Sequence, residues 1–140
     1  MAEIITGGCL CGNIRYEIRQ EIQNIITCHC THCQKASGSG MSHNSLVPKS
    51  MFHLVSGQPK VFADTAASGN TLFRAFCPDC GSPIHSQREL VPDMLIVKVG
   101  TLDNSNAMKV VMNIWTNSAR PWAHIDPATE QYPENRPLRT

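Results

Sequence analysis

The 140-residue chain has no apolar run of membrane-spanning length, no block of basic residues and no glycine-rich phosphate loop. The first absence argues against a helical membrane anchor. The second lowers the case for nucleic acid, whose binders carry a basic patch or stripe; here the formal charge is +1 and Lys and Arg are scattered. The third removes the usual cradle for phosphates, since Gly7-Gly8 before Cys9 does not resemble one. Met1-Ala2-Glu3-Ile4-Ile5 also lacks the basic stretch and apolar core of a secretion signal, so the expected location is cytoplasmic. Sustained helical periodicity is missing, and Asp93 and Asp103 show no spacing that suggests acid–base work.

What the chain does have is cysteine. Its seven cysteines fall into tight clusters: Cys9-Leu10-Cys11, Cys28-His29-Cys30 with the nearby Cys33, and Cys77-Pro78-Asp79-Cys80. Disulfides are the weaker reading. The count is odd, no export signal is visible, and a bridge within Cys-x-Cys would be badly strained. A reducing compartment keeps thiols free for metal. Seven divides into a set of four and a set of three. A closed four-thiolate site mainly holds a fold together, whereas three thiolates leave one coordination position for water or substrate.

The rest of the chain reads as short strands between turns, an all-β domain with no internal boundary before a Pro-rich end. Asn13 to Ile18 alternates, with Ile14, Tyr16 and Ile18 on one face. Met41 to Val47 is a second strand, ended by Pro48. His53-Leu54-Val55 and Lys60-Val61-Phe62 flank Ser56-Gly57-Gln58-Pro59, which predicts a hairpin. Thr71 to Phe76 leads into the Cys77 cluster and Ile84 to Gln87 leads out of it. Met94 to Val99 is nearly continuous apolar sequence, as in a strand buried on both sides, with Lys98 its one exception. Met108 to Trp115 is the last strong strand. One short helix is expected from about Thr31 to Ala36, stopped by Ser37-Gly38. After Trp122 the chain is rich in Pro and charge, including Pro127, Pro133 and Pro137, and is expected at the surface or disordered.

The clusters carry the chemistry. Cys77 to Cys80 followed by Gly81 has the shape of a zinc knuckle, and Gly81 permits the positive φ such turns need. An extended Cys9-x-Cys11 would put both thiols on one face, so they can share a metal. Joining these two pairs would staple the ends of the strand set. In the third cluster, three thiolates within six residues can wrap one face of an ion. Its fourth ligand is open. His29 should point away from Cys28 and Cys30, while His32 beside Cys33 is a fairer candidate. If His32 binds, the site is Cys₃His and structural; if not, an open position can activate water or lower the pKa of an incoming thiol. His43, His53, His85 and His124 are isolated, and each is read as a surface or hydrogen-bonded strand residue. Trp115 and Trp122 are read as core packing in preference to a ligand pocket.

Together these residues resemble the glutathione-dependent formaldehyde-activating enzyme family. The likeness lies in Gly7-Gly8-Cys9-Leu10-Cys11-Gly12 with Arg15-Tyr16, and in Cys28-His29-Cys30-Thr31-His32-Cys33-Gln34-Lys35 with Ser37-Gly38. Phe76-Cys77-Pro78-Asp79-Cys80-Gly81-Ser82, Gly100-Thr101-Leu102-Asp103 and the stretch from Trp115 to Trp122 fit the same pattern, so the resemblance runs from about Gly7 to Tyr132. The centromere protein V domain shares the family, so a shared fold need not mean a shared activity.

The resemblance implies a Mss4-like fold of zinc-stabilised sheets with at most one or two short helices. It implies a zinc domain over residues 1–125 and a Pro-rich C-terminal tail over 126–140. It assigns Cys9, Cys11, Cys77 and Cys80 to a structural zinc. Cys28, Cys30 and Cys33 are assigned to a second, catalytic and more labile zinc with its fourth position free, which places His32 outside the ligand set. The expected activity is a carbon–sulfur lyase of the S-hydroxymethylglutathione synthase type, joining or splitting a small-molecule thiol such as glutathione and a small aldehyde. The expected partners include no nucleic acid and no membrane. The alternative is a non-catalytic zinc-binding module for a protein partner.

Overall fold

The computed structural model describes residues 3–136, and among these the regular elements are nearly all strands. In chain order, β1 (Ile5–Gly8), β2 (Arg15–Ile18) and β3 (Asn24–Cys28) lead to the helix α1 (Thr31–Ser37). Then come β4 (Ser42–Pro48), β5 (Phe52–Ser56), β6 (Lys60–Thr65), β7 (Thr71–Phe76) and β8 (Pro83–Arg88). The last are β9 (Val91–Lys98), β10 (Lys109–Ile114) and β11 (Glu130–Gln131). The fold is all-β, as the strand-and-turn pattern indicated.

Two sheets form. A small one has the order β1-β2-β5, and a large one runs β11-β10-β3-β4-β9-β8-β7-β6. Pairing is antiparallel except where β10 lies parallel to both β3 and β11. Between the sheets sits the core, with Tyr16 and Ile18 from the small sheet, Ile14 just before β2, and Val47, Ile84, Leu95 and Val97 from the large one. Burying such side chains contributes roughly 1.5–3 kcal/mol each, which is why the alternation of β2 fixes its face. Phe52 stacks on Tyr16 at 4.7 Å and meets the His85 ring edge-on at 5.2 Å, so one aromatic ties the two sheets. Gly7 allows the close approach of β1: a Cβ there would lie 2.4 Å from Tyr16 Oη and 2.6 Å from the Thr101 carbonyl.

The hairpin expected around Ser56-Gly57-Gln58-Pro59 does not form. β5 pairs with β2 in the small sheet while β6 pairs with β7 in the large one. Burial overrides the local turn signal, because Phe52 gains the Tyr16 ring. Nor is β9 buried on both sides. Leu95 and Val97 face the core, whereas Met94, Ile96 and Lys98 are only half-buried on the opposite face. That opposite face is where Cys28 lies, opposite Ser42 and on the same side as Asn44 and Lys98.

The helix ends as expected, with Gly38 at φ 70 and its N–H bonded to the Gln34 carbonyl. Of the Pro-rich segment, residues 130–131 form β11, and the chain around them bonds back to the sheet through Trp115 N to Glu134 O and Tyr132 N to Asn113 O. Pro137 lies outside the described residues.

Candidate functional site

All seven cysteines are free thiols, and they gather into two groups. The first is Cys9, Cys11, Cys77 and Cys80, with their sulfurs all within 4.8 Å of one another. The second is Cys28, Cys30 and Cys33, equally close. Either group can hold a metal ion.

Two knuckles build the first group. The expected extended Cys9-x-Cys11 is instead a turn, closed by the Gly12 N–H on the Cys9 carbonyl at 3.2 Å. The second knuckle closes the same way, with Gly81 N bonded to Cys77 O at 2.9 Å and Gly81 at φ 80. A turn suits the ion better than a strand because it points both sulfurs inward from a short segment. Cys9 Sγ lies 3.5 Å from Cys11 Sγ, which is 3.8 Å from Cys77 Sγ. A tetrahedron with Zn–S bonds of 2.3 Å has edges of about 3.8 Å, so the four thiols fit zinc with little movement. Supporting contacts are in place: the Ile14 N–H reaches Cys9 Sγ at 3.2 Å, and the Ser82 hydroxyl lies 3.3 Å from Cys80 Sγ. Ser82, through its hydroxyl and then its backbone, holds the Cys80 thiol down at about 5. Such outer contacts hold the sulfurs in place and favour their ionised form. Leu10 N–H also bonds Ser82 Oγ at 3.0 Å, so the two knuckles touch directly.

The second group is made by the junction of β3 and α1. Cys28 ends the strand, Cys30 is the helix N-cap, and Cys33 sits in the first turn. Capping geometry brings the Cys33 N–H to Cys30 Sγ at 3.2 Å, so the same turn that starts the helix gathers the sulfurs. All three thiols are buried, with Ile114 and Trp115 packed against them. Their close packing divides the protons unevenly. Contacts from Cys28 and Cys30, helped by Lys98 and Arg74, pull Cys33 down to about 2, while contacts from Cys30 and Cys33 push Cys28 far up. A site that readily ionises some of its thiols is suited to a cation.

Neither neighbouring histidine joins the three sulfurs. His29 is fully buried on the other side of the strand, where Nε2 donates to Asn113 Oδ1 at 2.8 Å. Asn113 Nδ2 in turn donates to Thr129 Oγ1 at 2.8 Å, which fixes the β3–α1 junction to β10 and the C-terminal segment. His32 Nδ1 is turned to the Asp64 carboxylate, 2.9 and 3.1 Å from its two oxygens. Of the isolated histidines, His43 bonds Thr27 at 2.8 Å, and His85 is held at about 4 by burial. The tryptophans divide: Trp115 packs on the thiols, whereas Trp122 is 72% exposed, its ring over Gly40.

Sequence reasoning missed what lies beside the three thiols. The register places Cys28 opposite Ser42, Asn44 opposite Lys98, and Ser86 opposite Arg74. Residues opposite one another, or two apart on a strand, share a face. Cys28, Ser42, Asn44, Lys98, Ser86 and Arg74 therefore form a polar row on the α1 side of the sheet. Lys98 leans back across β4, and Nζ donates to Ser42 Oγ at 3.0 Å and Asn44 Oδ1 at 2.8 Å. Burial pushes this amine below the ordinary lysine value, while the negative potential of Cys33 opposes that shift. Arg74 Nε donates to Asp64 at 3.0 Å. Burial tends to raise the Asp64 carboxyl, but His32 and Arg74 outweigh it and hold it low. A cleft of ≈ 200 Å³ opens over this row, lined by Ser37, Ser42, Phe62, Arg74, Ser86 and Lys98 among others. The one hint in the sequence was a lysine inside an apolar strand.

Fold and site together define an all-β domain with one cluster of four cysteines and one of three, each able to hold a metal ion. The glutathione-dependent formaldehyde-activating enzyme family model matches residues 4–118, and the chain belongs to that family. No curated protein matches the chain. A crystal structure of a Rhodobacter sphaeroides protein superposes with a TM-score of 0.56 at 22% identity, covering 72% of this chain and 90% of that one. That likeness is one of fold. No helix among the described residues is long and apolar enough to cross a membrane.

Proposed function

We propose that the protein is a zinc-dependent carbon–sulfur lyase that joins or splits a thiol and a small aldehyde at Cys28, Cys30 and Cys33. In this reading Cys9, Cys11, Cys77 and Cys80 hold a structural zinc. The observation that carries it is the difference between the two centres. One offers four sulfurs, whereas the other offers three and no further His, Cys, Asp or Glu among the described residues, His29 and His32 both being engaged elsewhere. Membership of a family named for glutathione and formaldehyde supports the same chemistry.

When bound by three thiolates, zinc supplies a place where a fourth thiolate is held ionised and still nucleophilic. The chain's own residues do the rest. Ile114 and Trp115 exclude water from one side of the thiols. The His29–Asn113–Thr129 chain fixes the loop that carries them. In the joining direction, the substrate thiolate attacks the aldehyde carbon and a C–S bond forms. The carbonyl π pair moves to oxygen, which takes a proton, while the proton of the thiol has gone to solvent. Splitting is the reverse. Because a small aldehyde is a strong electrophile, positioning the thiol supplies much of the acceleration.

Purified protein with its metal content quantified should be screened against pairs of thiols and aldehydes for adduct formation. Turnover with at least one pair is expected. Absence of turnover with every pair, with metal at both centres, would overturn the enzyme reading and leave the zinc-binding interaction module.

A further inference from the structure

Lys98 is a half-buried cation whose amine hydrogen-bonds only to neutral partners, Ser42 Oγ and Asn44 Oδ1. No carboxylate lies within ion-pair distance of it among the described residues. Arg74 differs, being paired with Asp64 through Nε while also lining the cleft. Ser86 is 1% exposed, lines the same cleft, and its Oγ has no hydrogen-bond partner among the described residues. Buried polar groups are nearly always partnered, and a buried charge calls for a countercharge. One cleft thus collects a cation with no carboxylate partner, a buried hydroxyl with no hydrogen-bond partner and a guanidinium bonded through Nε.

The distance to the thiols follows from the register. Anchored on Ser42, the Lys98 amine stands over β4, and Ser42 is opposite Cys28 on the next strand. Neighbouring strands lie about 4.8 Å apart. An anion against Lys98 is therefore about one strand from the cysteine cluster, a gap that two methylene groups span. At ≈ 200 Å³ the cleft is also smaller than the ~300–1,000 Å³ pockets that enclose drug-sized ligands.

We infer that the cleft is an anion subsite that binds the carboxylate of a short-chain thiol acid, with Lys98 as its cation and Ser86 and Arg74 as further donors. It rests on the reading that the thiol partner binds at Cys28, Cys30 and Cys33. Lys98 then selects the substrate by its acid group. A neutral thiol of the same length offers the amine no carboxylate.

The test is calorimetric titration of the zinc-loaded protein with 3-mercaptopropionate and with its methyl ester. The acid should bind about tenfold or more tightly than the ester, as expected for a charge-assisted contact. Lys98→Met should remove that advantage by weakening the acid far more than the ester, Lys98→Arg should keep most of it, and Ser86→Ala should reduce it. Equal binding of acid and ester by the unaltered protein would overturn the subsite while leaving thiol binding intact. If Lys98→Met weakens both ligands equally, the amine merely offsets the charge of the cysteine cluster, and the subsite is wrong. If neither thiol binds, the proposed thiol chemistry fails and the subsite with it.

Discussion

Nδ1 of His32 lies 2.9 and 3.1 Å from the two carboxylate oxygens of Asp64. That carboxylate also accepts from Arg74, so α1 is clasped to β6 and β7 by one acid. The clasp explains why an imidazole adjacent in sequence to Cys33 is not part of the thiol cluster. It has a partner in Asp64 on β6 instead.

His32→Ala is therefore expected to leave the metal content unchanged, as measured by metal quantification on the purified variant. Loss of one ion would make His32 a ligand. Asp64→Asn is the more damaging change, because it leaves the half-buried Arg74 without its anion; a loss of about 1–3 kcal/mol in denaturant unfolding is expected.

The two cysteine groups should respond differently to substitution. Cys80→Ser removes a link between the knuckles at Cys9 and Cys77, and metal binding at such sites is folding free energy. Loss of cooperative unfolding by circular dichroism is expected. Cys30→Ser should abolish turnover with the strand spectrum intact. Matching behaviour of the two variants would contradict the division of labour.

Acid should weaken the junction between the sheets. Burial holds His85 at about 4 against an unfolded value near 6.5, so the unfolded chain binds more protons between these limits. Stability from this group is complete above pH ~6.5 and falls as pH drops towards 4, by roughly 3 kcal/mol at most. His85→Phe keeps a ring against Phe52 and should flatten that part of the stability–pH curve in metal-saturated protein. An unchanged slope would mean that the imidazole is not the titrating group.

Gly7→Ala tests the close approach of β1. Its methyl would overlap Tyr16 Oη, 2.4 Å away, and the Thr101 carbonyl, 2.6 Å away. A cost of about 1–3 kcal/mol is expected from overpacking. A wild-type melting curve would show that β1 shifts freely.

Much of this was legible in the chain because the signals were local. Ser37-Gly38 stops α1 within a residue of the expected end, and the Tyr16 and Ile18 alternation gives the buried face of β2. The cysteine spacings separate the knuckles from the β3–α1 cluster before any coordinates are known. Apart from the turn at Cys9-Leu10-Cys11, which is local, the main failures are choices between distant partners. Ser56 to Pro59 looks like a hairpin, but Phe52 is drawn to Tyr16 and β6 to β7. β11 has only two residues and no apolar alternation, and only its parallel pairing with β10 reveals it. Lys98 was visible as an oddity in β9, yet its meaning depends on Ser42 and Ser86, which only the sheet order brings near.

The central claim is that two metal centres are built unequally, one closed by four cysteines and one left incomplete by three. The most direct test quantifies zinc retained by the folded protein against a mild chelator over time. One ion should leave early with the fold preserved and activity lost, while the other stays until the protein unfolds. Loss of both ions together, or retention of both, would contradict the account.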